Sequence, residues 1–164
     1  MTKEQYERWS APFRKTKWGV KILTGIDRTI TMLIFFSYPA LLMYLFFSGL
    51  FYKLFFCILI PAVLFLFVSL FRNLYSAPRP YEILDIQPLI KKETKGKSFP
   101  SRHVFSVFII GMTYFFIYKP AGIVIGMAGV VLAYVRVAAG VHFPKDTVAG
   151  ALCGILGGLL YLII

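Results

Sequence analysis

An all-α, polytopic bundle of membrane helices is the fold class that this 164-residue sequence predicts, with about five transmembrane helices behind an N-terminal interfacial amphipathic helix. Three observations carry that expectation. Hydrophobic residues make up 59% of the chain and the mean hydropathy is +0.75. Soluble domains run near 45–50% apolar, so the excess calls for lipid as a second solvent. The apolar residues also gather into five runs, three of them long enough alone for the 17–25 residues that a helix needs to cross the hydrocarbon. Finally, the runs are continuously apolar and lack the alternation of a membrane barrel, which leaves helices as the spanning element.

Residues 1–28 form the first of two regions. Trp9, Phe13, Trp18, Ile22 and Leu23 are mixed there with Arg8, Arg14, Lys15, Lys17 and Lys21. That mixture suits a helix lying in the interface, aromatics at headgroup depth and cations toward anionic lipid. The segment has no apolar core of the kind a cleavable signal peptide carries, so insertion is expected to rely on the first span. Asp27 is expected to cap that span.

The second region, residues 29–164, is read as the transmembrane domain. Its spans are Thr29–Phe47, Leu54–Phe71, about Pro100–Tyr118, about Ala121–Val135 and Thr147–Ile164. The third and fourth reach full length only if His103 and Arg136 lie at the interface or inside the bundle. Pro39 and Pro61 predict kinks that neighbouring helices tolerate. Gly150, Gly154 and Gly158 recur every fourth residue and predict a bare stripe for close helix approach. Cys57 and Cys153 fall inside apolar runs and read as small core residues. The lysine-rich stretch Ile90–Phe99 reads as a solvated face near lipid phosphates.

The net charge is +11. The aromatics lie within apolar spans rather than among the basic residues, so the partners expected are the bilayer and an anionic headgroup, and no nucleic acid.

Five spans put three polar clusters on one membrane face: RNLYSAPRP from Arg72, PSRH from Pro100, and VRVAAGVHFPKD from Val135. Ionisable residues at membrane depth are costly and are functional candidates by default. Arg72, Arg79, Arg102 and Arg136 converging on one volume need an anion between them, and guanidinium forks match phosphate oxygens. Pro100 and Pro144 suit the first turns of two helices whose N-termini add further N–H donors for phosphate. His142 precedes Asp146 by four residues. If a helix starts near Phe143, the carboxylate can fix one ring nitrogen and leave the other as nucleophile. His103 remains to protonate a leaving oxygen. A metal held by His142, Asp146 and His103 is disfavoured, because four arginines would repel a cation. The set describes phosphoryl transfer from a phosphomonoester or diphosphate.

With these residues in place, the sequence resembles the type 2 phosphatidic acid phosphatase superfamily, whose members include lipid phosphatases and vanadium haloperoxidases. The family pattern is lysine, six residues, Arg-Pro; then Pro-Ser-Gly-His; then Ser-Arg, five residues, His, three residues, Asp. Here Arg72 is followed after six residues by Arg79-Pro80, then come Pro100-Ser101-Arg102-His103, and Arg136 leads to His142 and Asp146 at matching spacing. The resemblance implies that His142 forms a phosphohistidine, Asp146 supports it, and His103 protonates the departing alcohol. It also implies that Arg72, Arg79, Ser101 and Arg136 bind phosphate, with Arg102 at the mouth, and that no metal or other cofactor is used. Arg72 stands for the usual lysine, Arg102 for the glycine and Val135 for the serine. Relatives commonly have six spans, and the interfacial segment is expected to stand in for the missing one.

The resulting expectation is a metal-independent integral-membrane lipid phosphatase of a bacterial plasma membrane. Its substrate would be phosphatidic acid, phosphatidylglycerol phosphate, or a polyprenyl phosphate or diphosphate. The alternative is a catalytically silent membrane protein that binds anionic headgroups. A soluble haloperoxidase disagrees with the composition, and a transporter disagrees with opposite-face loops that carry only Lys53 and Lys119. Sixteen of eighteen basic residues lie on the motif face, which the positive-inside rule places in the cytoplasm, whereas the resemblance to many bacterial relatives implies the outer face.

Overall fold

The computed structural model describes residues 1–92 and 94–163, and the regular elements among them are all helices. Helix α1 spans Lys3–Lys15 and α2 spans Gly19–Phe47. Helix α3 covers Phe51–Tyr75, the short α4 covers Pro80–Ile83, and α5 covers Arg102–Ile117. Helices α6 (Lys119–Ala138) and α7 (Pro144–Gly158) follow, and a 3-10 turn at Leu159–Leu162 extends α7. Four of these helices, α2, α3, α6 and α7 with its extension, are long and apolar enough to cross a membrane, and α5 is a shorter apolar helix.

The outer surface is apolar. Phe36, Leu66, Phe67, Leu74 and Val130 are all more than three-fifths exposed. In water each such side chain would cost on the order of 1–2 kcal/mol; facing lipid tails, they are the solvated surface. The multi-pass membrane architecture therefore explains the excess of apolar residues.

The centre of the bundle is α5. Val104, Phe105, Val107, Ile109, Gly111 and Thr113 are buried along it. The predicted glycine stripe of α7 lies against this helix. A Cβ at Gly150 would sit 2.6 Å from the Ser101 carbonyl oxygen, one at Gly154 2.7 Å from Phe108 Cβ, and one at Gly158 2.3 Å from Met112 Cβ. Only bare backbone permits that approach, which seats the start of α7 beside the start of α5.

Several boundaries differ from the sequence expectation. Helix α2 begins at Gly19, ten residues before the predicted span, so Asp27 is an interior helical residue and not a cap. The break falls at Gly19 because the chain doubles back there: a Cβ on it would lie 2.2 Å from the Phe13 carbonyl oxygen. Helix α5 begins after Pro100, with Ser101 as its N-cap, so Pro100 is a wall residue and not a first-turn residue. Pro39 and Pro61 stand inside helices that continue through them.

Helix α1 roofs the polar end. Tyr6 is buried against Gly140, and its hydroxyl donates to the Gln87 carbonyl at 3.0 Å. Arg14 Nη2 donates to the same carbonyl at 2.8 Å. Trp9 stacks on Tyr134 with centroids 5.9 Å apart. Below this roof Leu23, Val135, Ala138, Ala139 and Val141 form a closed core, against which Leu89 and Ile90 pack. The bond from Leu89 N–H to the Ala139 carbonyl at 2.9 Å pins the long polar loop to the end of α6.

Candidate active site

His142 lies in the short connection between α6 and α7 and is 1% exposed. Pro144 is the first residue of α7, as its fixed φ favours, and this sets Asp146 in the first turn. Asp146 Oδ2 accepts the Phe143 N–H at 2.9 Å, which closes the helix start and turns the carboxylate back toward the imidazole. His142 Nδ1 stands 3.5 Å from that oxygen. The predicted pairing of His142 with an Asp146 in the helix's first turn is therefore present.

One partner was not anticipated. Ser98 Oγ donates to Asp146 Oδ2 and sits 3.3 Å from His142 Nδ1. Ser98 is fully buried, and it is nearer to the ring nitrogen than the carboxylate is. Imidazole, hydroxyl and carboxylate form a closed triangle on the Nδ1 side of the ring, which leaves Nε2 for chemistry. Burial holds the His142 ring below the ordinary imidazole value against the opposing pull of Asp146 and with the push of Arg79 and Arg136, so the ring is neutral at neutral pH. No sequence signal marks Ser98, which stands in a loop without periodicity.

The two arginines of the first cluster are engaged by the backbone. Arg79 is 2% exposed and spreads all three nitrogens over backbone carbonyls: Nε on Gly96 at 3.0 Å, Nη1 on Val141 at 3.0 Å and Nη2 on Lys97 at 3.4 Å. Arg72 Nη1 donates to the carbonyls of Ser98 and Pro100. These guanidinium groups bind the loop walls around His142 and keep their charge beside it. Arg72, Arg79, Arg102 and Asp146 lie within one electrostatic neighbourhood.

Ser101 and Arg102 divide their roles. The Ser101 N–H donates to the Asp146 carbonyl at 2.8 Å, and its buried Oγ has no hydrogen-bond partner among the described residues. Ser101 makes no side-chain cap on α5, so the first-turn N–H groups of that helix stay open. Arg102 is exposed, its guanidinium 5.8 Å above the Phe65 ring. His103 is on the next residue, with Arg136, Lys92, His142 and Arg102 as its charged neighbours.

Arg136 is 4% exposed near the end of α6, and its Nε lies 2.7 Å from Asp27 Oδ1 on α2. Lys92 corrects the reading of the lysine-rich loop as a solvated face. It is half-buried beside Arg79, Arg136, Arg72 and Asp27, and burial first, then those arginines, pushes its ammonium down to about 8. Lys91, Lys95 and Lys97 are exposed as expected.

All eight site residues expected from sequence meet at one end of the bundle, and Ser98, Lys92 and Asp27 join them. A groove of about 390 Å³ opens from His103 and Arg102 between α2, α3 and α5, walled by Ile34, Phe35, Phe65 and Ile110. A second apolar cleft of about 270 Å³ shares Tyr38, Phe65, Ser106 and Ile110 with it and continues to Leu42 and Ile58. The pair forms an apolar path running along the helices away from the charged end.

Comparison with known proteins adds three findings. The model of the PAP2 superfamily matches residues 50–164. The bacitracin transport permease protein BcrC of Bacillus licheniformis is 35% identical over 88 residues, which cover 53% of this chain and 43% of that one, so the match spans less than half of that relative's length. Among solved structures, LpxE of Aquifex aeolicus superposes with TM-score 0.75 at 23% identity, covering 98% of this chain and 94% of its own. A transmembrane PAP2-type phosphatidylglycerolphosphate phosphatase from Bacillus subtilis superposes with TM-score 0.64 at 24% identity, covering 96% and 82%. At those identities the two structures establish the likeness of fold.

Proposed function

The chain belongs to the PAP2 superfamily, and from that premise we propose that it is an integral-membrane, metal-independent lipid phosphatase acting through a phosphohistidine. The observation that carries this reading is the placement of His142. Its Nδ1 side is held by Ser98 and Asp146, while an apolar groove reaches His103 from the lipid-facing helices.

The chemistry follows from that placement. The phosphate enters among Arg72, Arg79, Arg102, Arg136 and Lys92, with the open N-terminus of α5 adding N–H donors. His142 Nε2 attacks phosphorus and forms an N–P bond as the bond to the lipid oxygen breaks. The lone pair left on that oxygen takes a proton from His103. The lipid alcohol, or lipid phosphate if the substrate is a diphosphate, departs. Neutral His103 then takes a proton from water, the resulting hydroxide attacks phosphorus, the N–P bond breaks and phosphate leaves. The positive cradle stabilises charge on the three equatorial oxygens in both steps.

A phosphate carried on an apolar tail fits the site, because the tail can lie in the groove between α2, α3 and α5 while the head meets the arginines. Phosphatidic acid, phosphatidylglycerol phosphate, and polyprenyl phosphate or diphosphate are the candidates. Helix α1 rests at headgroup level as a roof over this end, and the helices from α2 onward carry the reaction. The excess of basic residues at this end supports a cytoplasmic site.

The test is phosphate release by purified protein from that lipid panel, with p-nitrophenyl phosphate as a water-soluble control and EDTA present throughout. At least one lipid phosphate should be hydrolysed well above the control, and His142→Ala should abolish turnover while the variant remains inserted and monodisperse. Hydrolysis of the water-soluble ester alone would refute the lipid reading, and binding without any release would establish the silent headgroup binder.

A further inference from the structure

We propose that Asp27, which precedes the family-matched residues, is a positioning residue that aims Arg136 at the substrate phosphate. This rests on the phosphatase reading given above.

Asp27 Oδ1 approaches the Nε edge of Arg136 to 2.7 Å, with the two side chains 14% and 5% exposed. The N–H is not directed along the line to the carboxylate, so the contact is a tight ion pair and not a hydrogen bond. Among the described residues no hydrogen bond engages the two terminal nitrogens of Arg136. Arg79 commits all three of its nitrogens to backbone carbonyls, and Arg72 commits Nη1. Arg136 is therefore the buried guanidinium whose outer fork remains to grip two phosphate oxygens.

The neighbourhood explains why such a fork needs an acidic partner. Arg79 and Lys92 press on Arg136 with like charge, and Asp27 is the opposing charge on both Arg136 and Lys92. Without it, repulsion would swing a long, flexible side chain out of the cradle. The backbone that carries Asp27 is fixed: Leu23 and Ile26 of α2, just ahead of Asp27, pack with Val135 and Ala138 of α6, which flank Arg136 in the sequence. A carboxylate on a helix outside the three motifs thus sets the direction of a guanidinium within them.

The experiment measures orthovanadate affinity, by inhibition and by protection against thermal unfolding in detergent, together with kcat and KM on the best lipid substrate. Asp27→Asn should weaken vanadate binding and raise KM by about tenfold, with a smaller change in kcat. Asp27→Glu keeps the charge but moves it by one methylene, and should lose about a third as much on a logarithmic scale. In an Arg136→Lys background, Asp27→Asn should add little, since Asp27 acts through Arg136. Unchanged or tighter vanadate binding in Asp27→Asn, or full multiplication of its effect with that of Arg136→Lys, would overturn the proposal. Should Asp27→Asn fail to insert, Asp27→Glu is read alone: weakened vanadate affinity supports the role and unchanged affinity refutes it. Thermal protection by vanadate requires no turnover. Asp27-dependent protection in a protein that hydrolyses no lipid phosphate would therefore refute the phosphatase reading and preserve the coupling.

Discussion

Ser98 decides how the carboxylate reaches the imidazole. Its hydroxyl is closer to His142 Nδ1, at 3.3 Å, than Asp146 is, at 3.5 Å, and it also donates to Asp146. Much of the orienting effect of Asp146 therefore passes through this hydroxyl. Ser98→Ala should lower kcat about tenfold with little change in KM, the loss of one buried hydrogen bond to a charged group, and Ser98→Thr should retain most activity. Steady-state kinetics on the same lipid substrate checks both. The acid limb of the wild-type kcat/KM profile should lie below about pH 6.5, because burial keeps the ring neutral and attack requires the neutral form. The gathering of the histidines, the arginines and Asp146 at one end of the bundle was legible in the sequence because they stand in three polar clusters at the ends of apolar runs, at the spacing of the family pattern. Ser98 was not, since only the turn through Phe99 and Pro100 brings it beneath the start of α7. Asp27 precedes an apolar run, as a cap would, but its partner lies on a helix far along the chain.

The α5–α7 pair shows what helix pattern can and cannot convey. Glycines every fourth residue announced a close contact, and the partner proved to be the helix that carries His103. Gly154→Leu would drive side-chain atoms into Phe108 Cβ at 2.7 Å and Ile109 N at 2.9 Å. It should destabilise the protein by about 1–3 kcal/mol and remove most turnover, because Ser101 and Asp146 would part. Gly126→Leu, which meets nothing within 4 Å, is the control and should leave both properties nearly unchanged. Thermal unfolding in detergent with a parallel activity assay distinguishes the two. Hydropathy located the four long apolar helices and the shorter α5 but misplaced the start of α2 by ten residues. The reason is physical: polar and basic residues are sound helix formers, so a helix can run on past the hydrocarbon without any change in its own propensity, while hydropathy records only where lipid ends.

At the scale of the whole molecule, charge and shape are polarised together. The helix starts away from the site carry Lys53 and Lys119, while the other sixteen of eighteen basic residues belong to the site end. Some of those cations are explained by the walls around His142, but the seven ahead of residue 29 are not, and on these the proposed cytoplasmic orientation rests. Lys95 is exposed in the loop at that end. In a Cys57→Ala, Cys153→Ala background, Lys95→Cys should resist a membrane-impermeant maleimide added to intact cells and react once the cells are opened. Labelling from outside would reverse the orientation. The glycine seam between α5 and α7 has one more consequence. It clamps the starts of α5 and α7, with His103 and His142 beside them, into a pair of jaws that cannot spread, so under the proposed lipid reaction any yielding needed to admit a bulky tail falls to α2 and α3, and the door to this chamber opens sideways, into the oil.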